Sequence, residues 1–173
     1  MRRITKWGGV LLGGLVCGLL VAAGTGHAQL LDKKAISLAL AKKMVAAATA
    51  EAVKNKWLMV MAVVDEDGLP ILLEKMDGAP NGSVLVAEGK ARTAALFRQP
   101  TKLWGDMIAG NPGATPPVPQ RSQLLALVPG FTPVQGGLPV AAGDQVIGGI
   151  GCSGGSGAQD EQVCKAGVDA LTK

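Results

Sequence analysis

The side chains best suited to binding a ligand lie within a few residues of one another, near the end of a predicted helix. Arg98 and Lys102 supply two positive charges, while Thr101 and Trp104 supply a hydroxyl and an indole ring. Positive charges attract an anion, and an aromatic ring packs against a flat molecule. This stretch therefore predicts a site for a flat, anionic ligand at the end of the helix.

The sequence has a single histidine, His27, and no tyrosine. Because His27 falls in a predicted leader peptide, no imidazole remains after cleavage. This excludes a Ser-His-Asp triad, a Cys-His pair, a histidine-rich zinc site and a histidine-ligated haem. Any iron in the mature protein would therefore be held by oxygen, sulfur or charge.

The first 28 residues have the pattern of a signal peptide. Two arginines and a lysine precede an apolar stretch over 10–23, and Ala28 closes a cleavage site of small residues. We expect cleavage after Ala28 and a periplasmic or secreted protein that keeps no stable membrane anchor. An uncleaved anchor is the alternative.

The charge that remains after cleavage gives no support for nucleic-acid binding. Three of the 17 basic residues and none of the 13 acidic residues lie in the leader, so 14 basic and 13 acidic residues remain, a net charge of +1. The remainder contains no basic stripe. A chain of this length is expected to form one domain, residues 29–173, with a modest core.

Two cysteines remain after the leader is removed, Cys152 and Cys164. In an exported protein they are expected to form a disulfide that ties a glycine-rich loop to the helix after it. Closing a loop of this size stabilises the fold by about 3 kcal/mol. The alternative, a reactive redox pair, lacks the short Cys-x-x-Cys spacing that lowers the pKa of a thiol.

Hydrophobic periodicity predicts an α+β domain in which strands joined by tight turns form an antiparallel sheet with helices packed on it. The predicted elements are a helix over 37–55, strands over 57–64 and 69–76, a helix over 83–97, a loop over 105–121, a strand over 122–131, and a strand, glycine loop and helix within 136–171. Ser37 and Ser83 are predicted to cap the first two helices. The basic residues of the second helix are expected to face solvent: Lys90, Arg92 and Arg98.

Three glycines surround Ile150 in the last predicted strand: Gly148, Gly149 and Gly151. Little side chain is left there, so a ligand or a second backbone is expected to pack closely against this strand. The Gly/Ser loop that follows has the composition of a phosphate-binding loop. The lysine that directly follows the loop in a Walker motif is absent, however, and Asp160 and Glu161 already place negative charge at the start of the next helix. We interpret the loop as a structural turn.

Five short motifs occur in order along the chain: Val63-Val64-Asp65-x-x-Gly68, Met76-Asp77-Gly78-Ala79, Lys90-Ala91-Arg92-Thr93-Ala94, Gly136-Gly137-Leu138-Pro139, and Gly148-Gly149-Ile150-Gly151-x-Ser153-Gly154-Gly155 with Gln159-Asp160-Glu161 after it. This series resembles the GlcG/HbpS family over nearly all of the chain after the leader. The resemblance implies a profilin-like α+β fold, with an antiparallel sheet of about five strands and flanking helices, that assembles into homo-oligomers. It also implies non-covalent binding of haem, since some members bind haem.

The same resemblance implies which residues would hold a haem. The predicted cofactor-binding residues are Thr101, Thr93, Lys90, Arg98, Lys102 and Trp104, with Phe97 as the alternative ring for the porphyrin face. Thr101 is predicted as the metal ligand and Thr93 is the second choice, while the cations of Arg98 and Lys102 are expected to meet the propionates. A hydroxyl is a weak ligand for iron, so such binding would be exchangeable.

Three functions follow from these observations. We expect an exported oligomer that binds haem, or a similar anionic tetrapyrrole, reversibly for sensing or scavenging. The first alternative is an enzyme that degrades haem or acts on a small acid, with Asp65, Lys90 and Arg92 as its polar groups. The second is an interaction module without a ligand, whose glycine-rich strand packs against a neighbouring subunit.

Overall fold

An antiparallel sheet of four strands lies at the centre of the fold. The structure is a computed structural model that describes residues 33–109 and 125–171. The strands are Val60–Asp65 (β1), Pro70–Lys75 (β2), Gly137–Ala142 (β3) and Gln145–Ser153 (β4). Their order in the sheet is β2-β1-β4-β3, and each neighbouring pair is antiparallel.

Helices cover both faces of this sheet. They are Leu38–Lys54 (α1), Ser83–Phe97 (α2), Thr101–Ala109 (α3) and Gly157–Asp169 (α4). Helices α1 and α4 share one apolar core with the sheet, and α2 forms a second core on the opposite face. The α+β class predicted from the sequence is confirmed, with four strands in the described part of the chain instead of about five.

Strand β1 is apolar throughout because it is central and covered on both sides. Successive side chains of a strand point to opposite faces. Met61 and Val63 belong to the core beneath α1 and α4, whereas Val60, Ala62 and Val64 belong to the core beneath α2. The continuous apolar run in the sequence thus reflects burial on both faces.

Two glycines of β4 allow α2 to lie directly against the sheet. A Cβ atom added at Gly149 would lie 2.3 Å from the backbone oxygen of Ala91, and one added at Gly151 would lie 2.1 Å from that of Ala87. No side chain fits in that space, because the helix backbone occupies it. The close partner predicted for this strand is therefore a second backbone, that of α2.

The predicted N-cap is correct for the first helix and wrong for the second. The hydroxyl of Ser37 accepts a hydrogen bond of 3.1 Å from the N–H of Leu40. In α2, by contrast, Ser83 is already the first helical residue and is buried, and Gly82 precedes it with no side-chain bond to the helix.

Two predicted segments differ from the structure. The loop predicted from Gly105 onward begins inside α3, where the absence of a Cβ at Gly105 leaves room for the backbone oxygen of Pro133. The described part of the strand predicted over 122–131 is a 3-10 turn, Leu125–Leu127, followed by a turn at Gly130 with φ +79°. The remaining positions of that loop and strand, 110–124, lie outside the described residues.

The predicted disulfide is present. Cys152 of β4 and Cys164 of α4 are bonded, with their Cα atoms 5.6 Å apart, and both residues are fully buried. The bond holds α4 on the sheet directly after the glycine loop. Ser156 and Gln159 close the same loop with a reciprocal capping box at the start of α4.

The predicted signal peptide, residues 1–28, lies outside the described residues, and so does His27. The described residues belong to one compact unit, Lys33–Lys173. Within the two described ranges, no helix combines the length and the apolar composition needed to cross a bilayer.

Candidate ligand-binding site

Three aromatic rings meet where α2 ends and α3 begins. The ring centroids of Phe97 and Trp104 are 5.3 Å apart, those of Phe97 and Phe131 are 4.7 Å apart, and those of Trp104 and Phe131 are 6.0 Å apart. All three pairs are edge-to-face, the arrangement favoured by the charge distribution of the rings. We call Phe97, Trp104 and Phe131 the aromatic corner. The sequence predicted Trp104, with Phe97 as the alternative ring, and it did not identify Phe131 as a third ring beside them.

The residues after α2 build this corner. Arg98 ends the helix in the left-handed conformation, with φ 56° and ψ 30°. Pro100 follows two residues later, and the chain re-enters a helix at Thr101. Trp104 then lies one turn into α3, against the last residue of α2. The third ring arrives from the 3-10 turn, where the N–H of Phe131 donates to the carbonyl of Val128.

The indole nitrogen of Trp104 is a donor without an acceptor. Its Nε1 atom is buried and has no hydrogen-bond partner among the described residues. Most buried polar groups are paired, and leaving one unpaired costs about 1–3 kcal/mol. An acceptor on a bound molecule, such as a carboxylate, would satisfy this N–H.

Both threonines predicted as iron ligands are buried and hydrogen-bonded to backbone. Thr101 is 0% exposed, and its hydroxyl donates to the carbonyl of Val134 (2.6 Å) and accepts from the N–H of Gly137 (2.9 Å). Thr93 is 1% exposed, and its hydroxyl accepts from the N–H of Thr132 (2.7 Å). These bonds hold the segment before β3 against α2 and α3. For either oxygen to reach a metal, that segment would have to move away.

Lys90 does not face solvent, and the prediction of a basic outer face is wrong at this position. Its side chain is 1% exposed, and Nζ lies 2.6 Å from Oδ2 of Asp160 and 2.9 Å from the carbonyl oxygen of Cys152, to both of which it donates. The other carboxylate oxygen of Asp160 accepts from the N–H of Gly155 (2.9 Å). Lys90 therefore ties α2 to β4 and to the first turn of α4, and a ligand has no access to it.

The spacing along α2 carried a signal for this burial. Lys90 lies three residues after Ala87 and four residues before Ala94, and both alanines are fully buried. Residues three and four apart share one face of a helix. Lys90 thus lies on the buried face, where a charge requires a partner. That partner, Asp160, was expected only to place negative charge at the N-terminus of its helix, so its ion pair with Lys90 was not predicted.

The two other predicted cations are exposed but have different surroundings. Lys102 forms an ion pair with Asp106 on α3. This hydrogen bond, together with the charges of Asp106 and Glu161, holds the pKa of Lys102 above its usual value. Arg98 lines a cleft beside the turns of the sheet, and no hydrogen bond or ion pair joins its guanidinium to any other described residue.

The polar groups considered for an enzyme have structural partners. Oδ1 of Asp65 accepts from the N–H groups of Asp67 (3.0 Å) and Leu69 (2.8 Å), which fixes the turn between β1 and β2. Nε of Arg92 donates to the carbonyl of Gly68 (3.2 Å) and so ties the same turn to α2. Neither group is assembled with the third candidate, Lys90, into one site. Among the described residues, no three Asp, Glu, Cys or His side chains are placed to hold a metal ion.

The fold and the aromatic corner together define an α+β domain with a candidate site for a flat acid at the α2–α3 junction. The model of the family described as "Haem degrading protein HbpS-like" matches residues 36–169. The chain therefore belongs to the HbpS-like family, which confirms the resemblance seen in its five motifs.

Individual relatives agree with this assignment. The chain is 38% identical to "Protein GlcG" of Escherichia coli (strain K12) over 121 residues, which is 70% of this chain and 83% of that protein. The crystal structure of a double mutant of HbpS from Streptomyces reticuli matches with a TM-score of 0.74 and 32% identity, covering 87% of this chain and 95% of that one. The crystal structure of the "PduOC:Heme Complex" matches with a TM-score of 0.69 and 26% identity, covering 79% of this chain and 95% of that one.

Proposed function

We propose that this protein binds haem, or a similar anionic tetrapyrrole, reversibly and outside the cytoplasm, as a homo-oligomer in the periplasm or secreted from the cell. Haem-related binding is a property of the family at large, as its description and the haem complex of one structural neighbour indicate. Export rests on the signal-peptide pattern of residues 1–28. Sensing or scavenging is the role we assign to such binding.

The observation that carries this proposal is the aromatic corner. Phe97 and Trp104 are partly exposed and offer an apolar surface for a porphyrin. The N–H of Trp104 is buried, so it would donate to a propionate once the groups that cover it move aside. The exposed cations of Arg98 and Lys102 lie between Phe97 and Trp104 in the sequence, at the end of α2 and the start of α3. A flat dianion is matched by this combination of rings, one donor and two positive charges.

The described residues fit the porphyrin and its propionates better than they fit the iron. They include no histidine, and the hydroxyls of Thr101 and Thr93 are buried and occupied by backbone groups. Thr101 as the metal ligand thus remains a prediction that requires movement of the segment before β3. Haem would supply a redox-active iron when bound. Binding through rings and charges alone would be weak and exchangeable, as reversible scavenging requires.

A hemin titration tests the proposal. We expect the purified protein to shift the Soret band of hemin and to saturate. A double variant, Arg98→Ala with Lys102→Ala, should raise the dissociation constant about tenfold or more, because two charge-assisted contacts are lost. Absence of a Soret shift in the wild-type protein would overturn the proposal.

Lys165 provides a matched control for this titration. It lies on α4 and pairs with Asp169 four residues later, as Lys102 pairs with Asp106 on α3. The variant Lys165→Ala removes an equally exposed ion pair far from the corner in sequence. If it weakened hemin binding as much as the double variant does, the effect would be one of general charge, and the corner would not be the site.

Haem degradation is the second candidate, and the family description favours it. Incubation of the hemin-loaded protein with ascorbate and oxygen distinguishes the two functions. If the protein only binds haem, the porphyrin absorbance should persist as long as it does in two control samples, free hemin and hemin bound to albumin. Faster loss of that absorbance, abolished by Trp104→Ala, would assign turnover to this site.

Export has its own test. Protein recovered from the periplasm or medium of its host is expected to begin at Gln29, as N-terminal sequencing would show. A chain that begins before His27 would retain an imidazole, and the histidine-free site proposed here would have to be abandoned.

A further inference from the structure

A polar cleft of about 490 Å³ lies beside the C-terminus of α2. Three segments and the helix end converge on it: the residues before α1, the β1–β2 turn and the β3–β4 turn. Its charged and amide side chains are Lys33, Glu66, Asp67, Arg98, Asp144 and Gln145. We call this site the turn cleft. Its volume is that of a small-molecule site and exceeds the size of a single amino acid.

The walls of the turn cleft are held in place before any ligand arrives. The β1–β2 turn is closed by two hydrogen bonds to Asp65 and tied to α2 by Arg92. The segment before α1 is anchored by Ile36, which is buried over Gly148, and by a bond from Gln145 to the carbonyl of Lys34 (3.5 Å). A site preformed in this way loses little entropy when a ligand binds.

The charges of the turn cleft are not all paired with one another. Lys33 and Glu66 form an ion pair with N···O 3.5 Å. Arg98, Asp67 and Asp144 line the same cleft, yet none of them lies within ion-pair distance of an opposite charge among the described residues. Opposite charges that share a cleft but do not meet are complementary to a ligand that carries both signs.

The conformation of Arg98 supports a binding role. It has φ 56°, in the left-handed region that side chains other than glycine, asparagine and aspartate rarely adopt. Glycine is the common residue at this point of a helix end. An arginine kept there at a conformational cost, with its side chain lining a cleft, is the pattern of strain found at binding sites.

We propose that the turn cleft binds a free α-amino acid as a zwitterion. The guanidinium of Arg98 would take the carboxylate, and Asp144, with Asp67, would take the ammonium group. Ala95 and Val146 complete the lining and give the amino-acid side chain an apolar surface. The site shares Arg98 with the haem proposal, but it uses none of the three rings of the aromatic corner and not the N–H of Trp104. Asp144→Asn therefore tests the turn cleft alone, and Trp104→Phe tests the aromatic corner alone.

Other ligand classes fit the turn cleft less well. Three carboxylates, those of Glu66, Asp67 and Asp144, repel a phosphate or a nucleotide. Two cations repel a divalent metal, and the described residues contain no cluster of three metal-ligating side chains. A molecule with one positive and one negative group satisfies both sets at once.

Calorimetric titration with matched ligands tests this inference. Each standard L-amino acid is first screened at millimolar concentration by its effect on the melting temperature of the protein. The strongest binder is then compared with its two truncated analogues; for L-leucine these are 4-methylpentanoate and isoamylamine. We expect each analogue to bind at least about tenfold more weakly, since each loses one charge-assisted contact.

Variants place the ligand in the turn cleft. Arg98→Gln and Asp144→Asn are each expected to weaken amino-acid binding about tenfold or more, while Lys165→Gln leaves it unchanged. Amide chemical-shift changes in the wild-type protein should centre on residues 66–67 and 144–146, which keeps the test valid if a variant misfolds. Three results would each overturn the inference: no amino acid binds, an analogue binds as tightly as its parent, or the shifts centre elsewhere.

Discussion

Two positions on helix α2, eight residues apart, carry the same charge and have opposite surroundings. Lys90 is 1% exposed and donates to Asp160 and to the carbonyl of Cys152. Arg98 is exposed at the end of the helix and lines the turn cleft without a partner among the described residues. The first residue joins three elements of the fold, whereas the second is left available to a ligand.

The difference shows that the groups around a cationic side chain, more than its residue type, decide whether it stabilises the fold or is available to a ligand. Where α2 crosses the glycines of β4, the long side chain of Lys90 reaches Asp160 in the first turn of α4. Where α2 ends, no element covers Arg98 in the described structure, and the chain keeps a charged side chain in a strained conformation. The inner half of α2 is therefore structural, and its end is the region where we place ligand binding.

The largest expected effect comes from breaking the buried pair. Lys90→Met keeps the length of the side chain but leaves the carboxylate of Asp160 buried without its cation. We expect the free energy of unfolding to fall by about 3–5 kcal/mol, measured by urea denaturation.

A second substitution serves as the control for that experiment. In the double variant Lys90→Met with Asp160→Asn the uncompensated charge is gone, while a side-chain oxygen can still accept from the N–H of Gly155. We expect it to be more stable than the single variant. A double variant no more stable than Lys90→Met would show that packing of the lysine stem, and not the charge pair, stabilises this region.

The close approach of α2 to the sheet gives the next prediction. Gly151→Ala places a methyl group 2.1 Å from the backbone oxygen of Ala87, so one backbone must shift. We expect a loss of about 2–3 kcal/mol in unfolding free energy. The matched control is Gly82→Ala, whose Cβ meets nothing within 4 Å and should change stability by less than about 0.5 kcal/mol. Equal effects at the two glycines would contradict the close packing.

At the outer end of α2 the expected change has the opposite sign. Arg98→Gly removes the cost of a left-handed conformation at φ 56°, so we expect the free energy of unfolding to rise by about 1 kcal/mol. Thermal unfolding in the absence of ligand measures this. A decrease in stability would mean that Arg98 makes a structural contact in the apo protein, and its assignment to ligand binding would be wrong.

The smallest effect concerns the ion pair beside the aromatic corner. The hydrogen bond to Asp106 holds the pKa of Lys102 above its usual value of 10.5. Because folding raises the pKa of Lys102, the pair stabilises the protein fully below the usual pKa of 10.5. This contribution disappears as the pH rises through the raised pKa. We expect Asp106→Asn to lower the pKa of Lys102, measured by NMR titration of its side chain. An unchanged pKa would show that the pair is absent in solution.

The sequence was sufficient for features that depend on local pattern. Alternation and helical period predicted the antiparallel sheet and its helices, and cysteine number predicted the disulfide between Cys152 and Cys164. The glycines around Ile150 predicted a close backbone neighbour, although the sequence could not say that α2 supplies it. These features depend on residues near one another in the chain or, for the disulfide, on the presence of two cysteines that can pair in only one way.

Contacts between segments that lie far apart along the chain could not be predicted from the sequence. The hydroxyl of Thr101 meets groups more than thirty residues away, so no spacing indicates that it is occupied by backbone. Phe131 joins the aromatic corner only because the 3-10 turn returns the chain to α2. Lys90 is the instructive case, since its helical spacing indicated burial while its charge suggested exposure, and the spacing was right.

If the α2–α3 corner is built for a ligand, replacing Trp104 should affect stability and hemin binding in opposite ways. Trp104→Phe keeps an aromatic ring and removes the buried N–H that has no partner among the described residues. Removing an unpaired buried donor is expected to raise the melting temperature of the apo protein, because the cost of desolvation disappears. It should at the same time weaken hemin binding, because the donor for a propionate is lost. A variant that melts lower than the wild type and binds hemin equally well would contradict the claim.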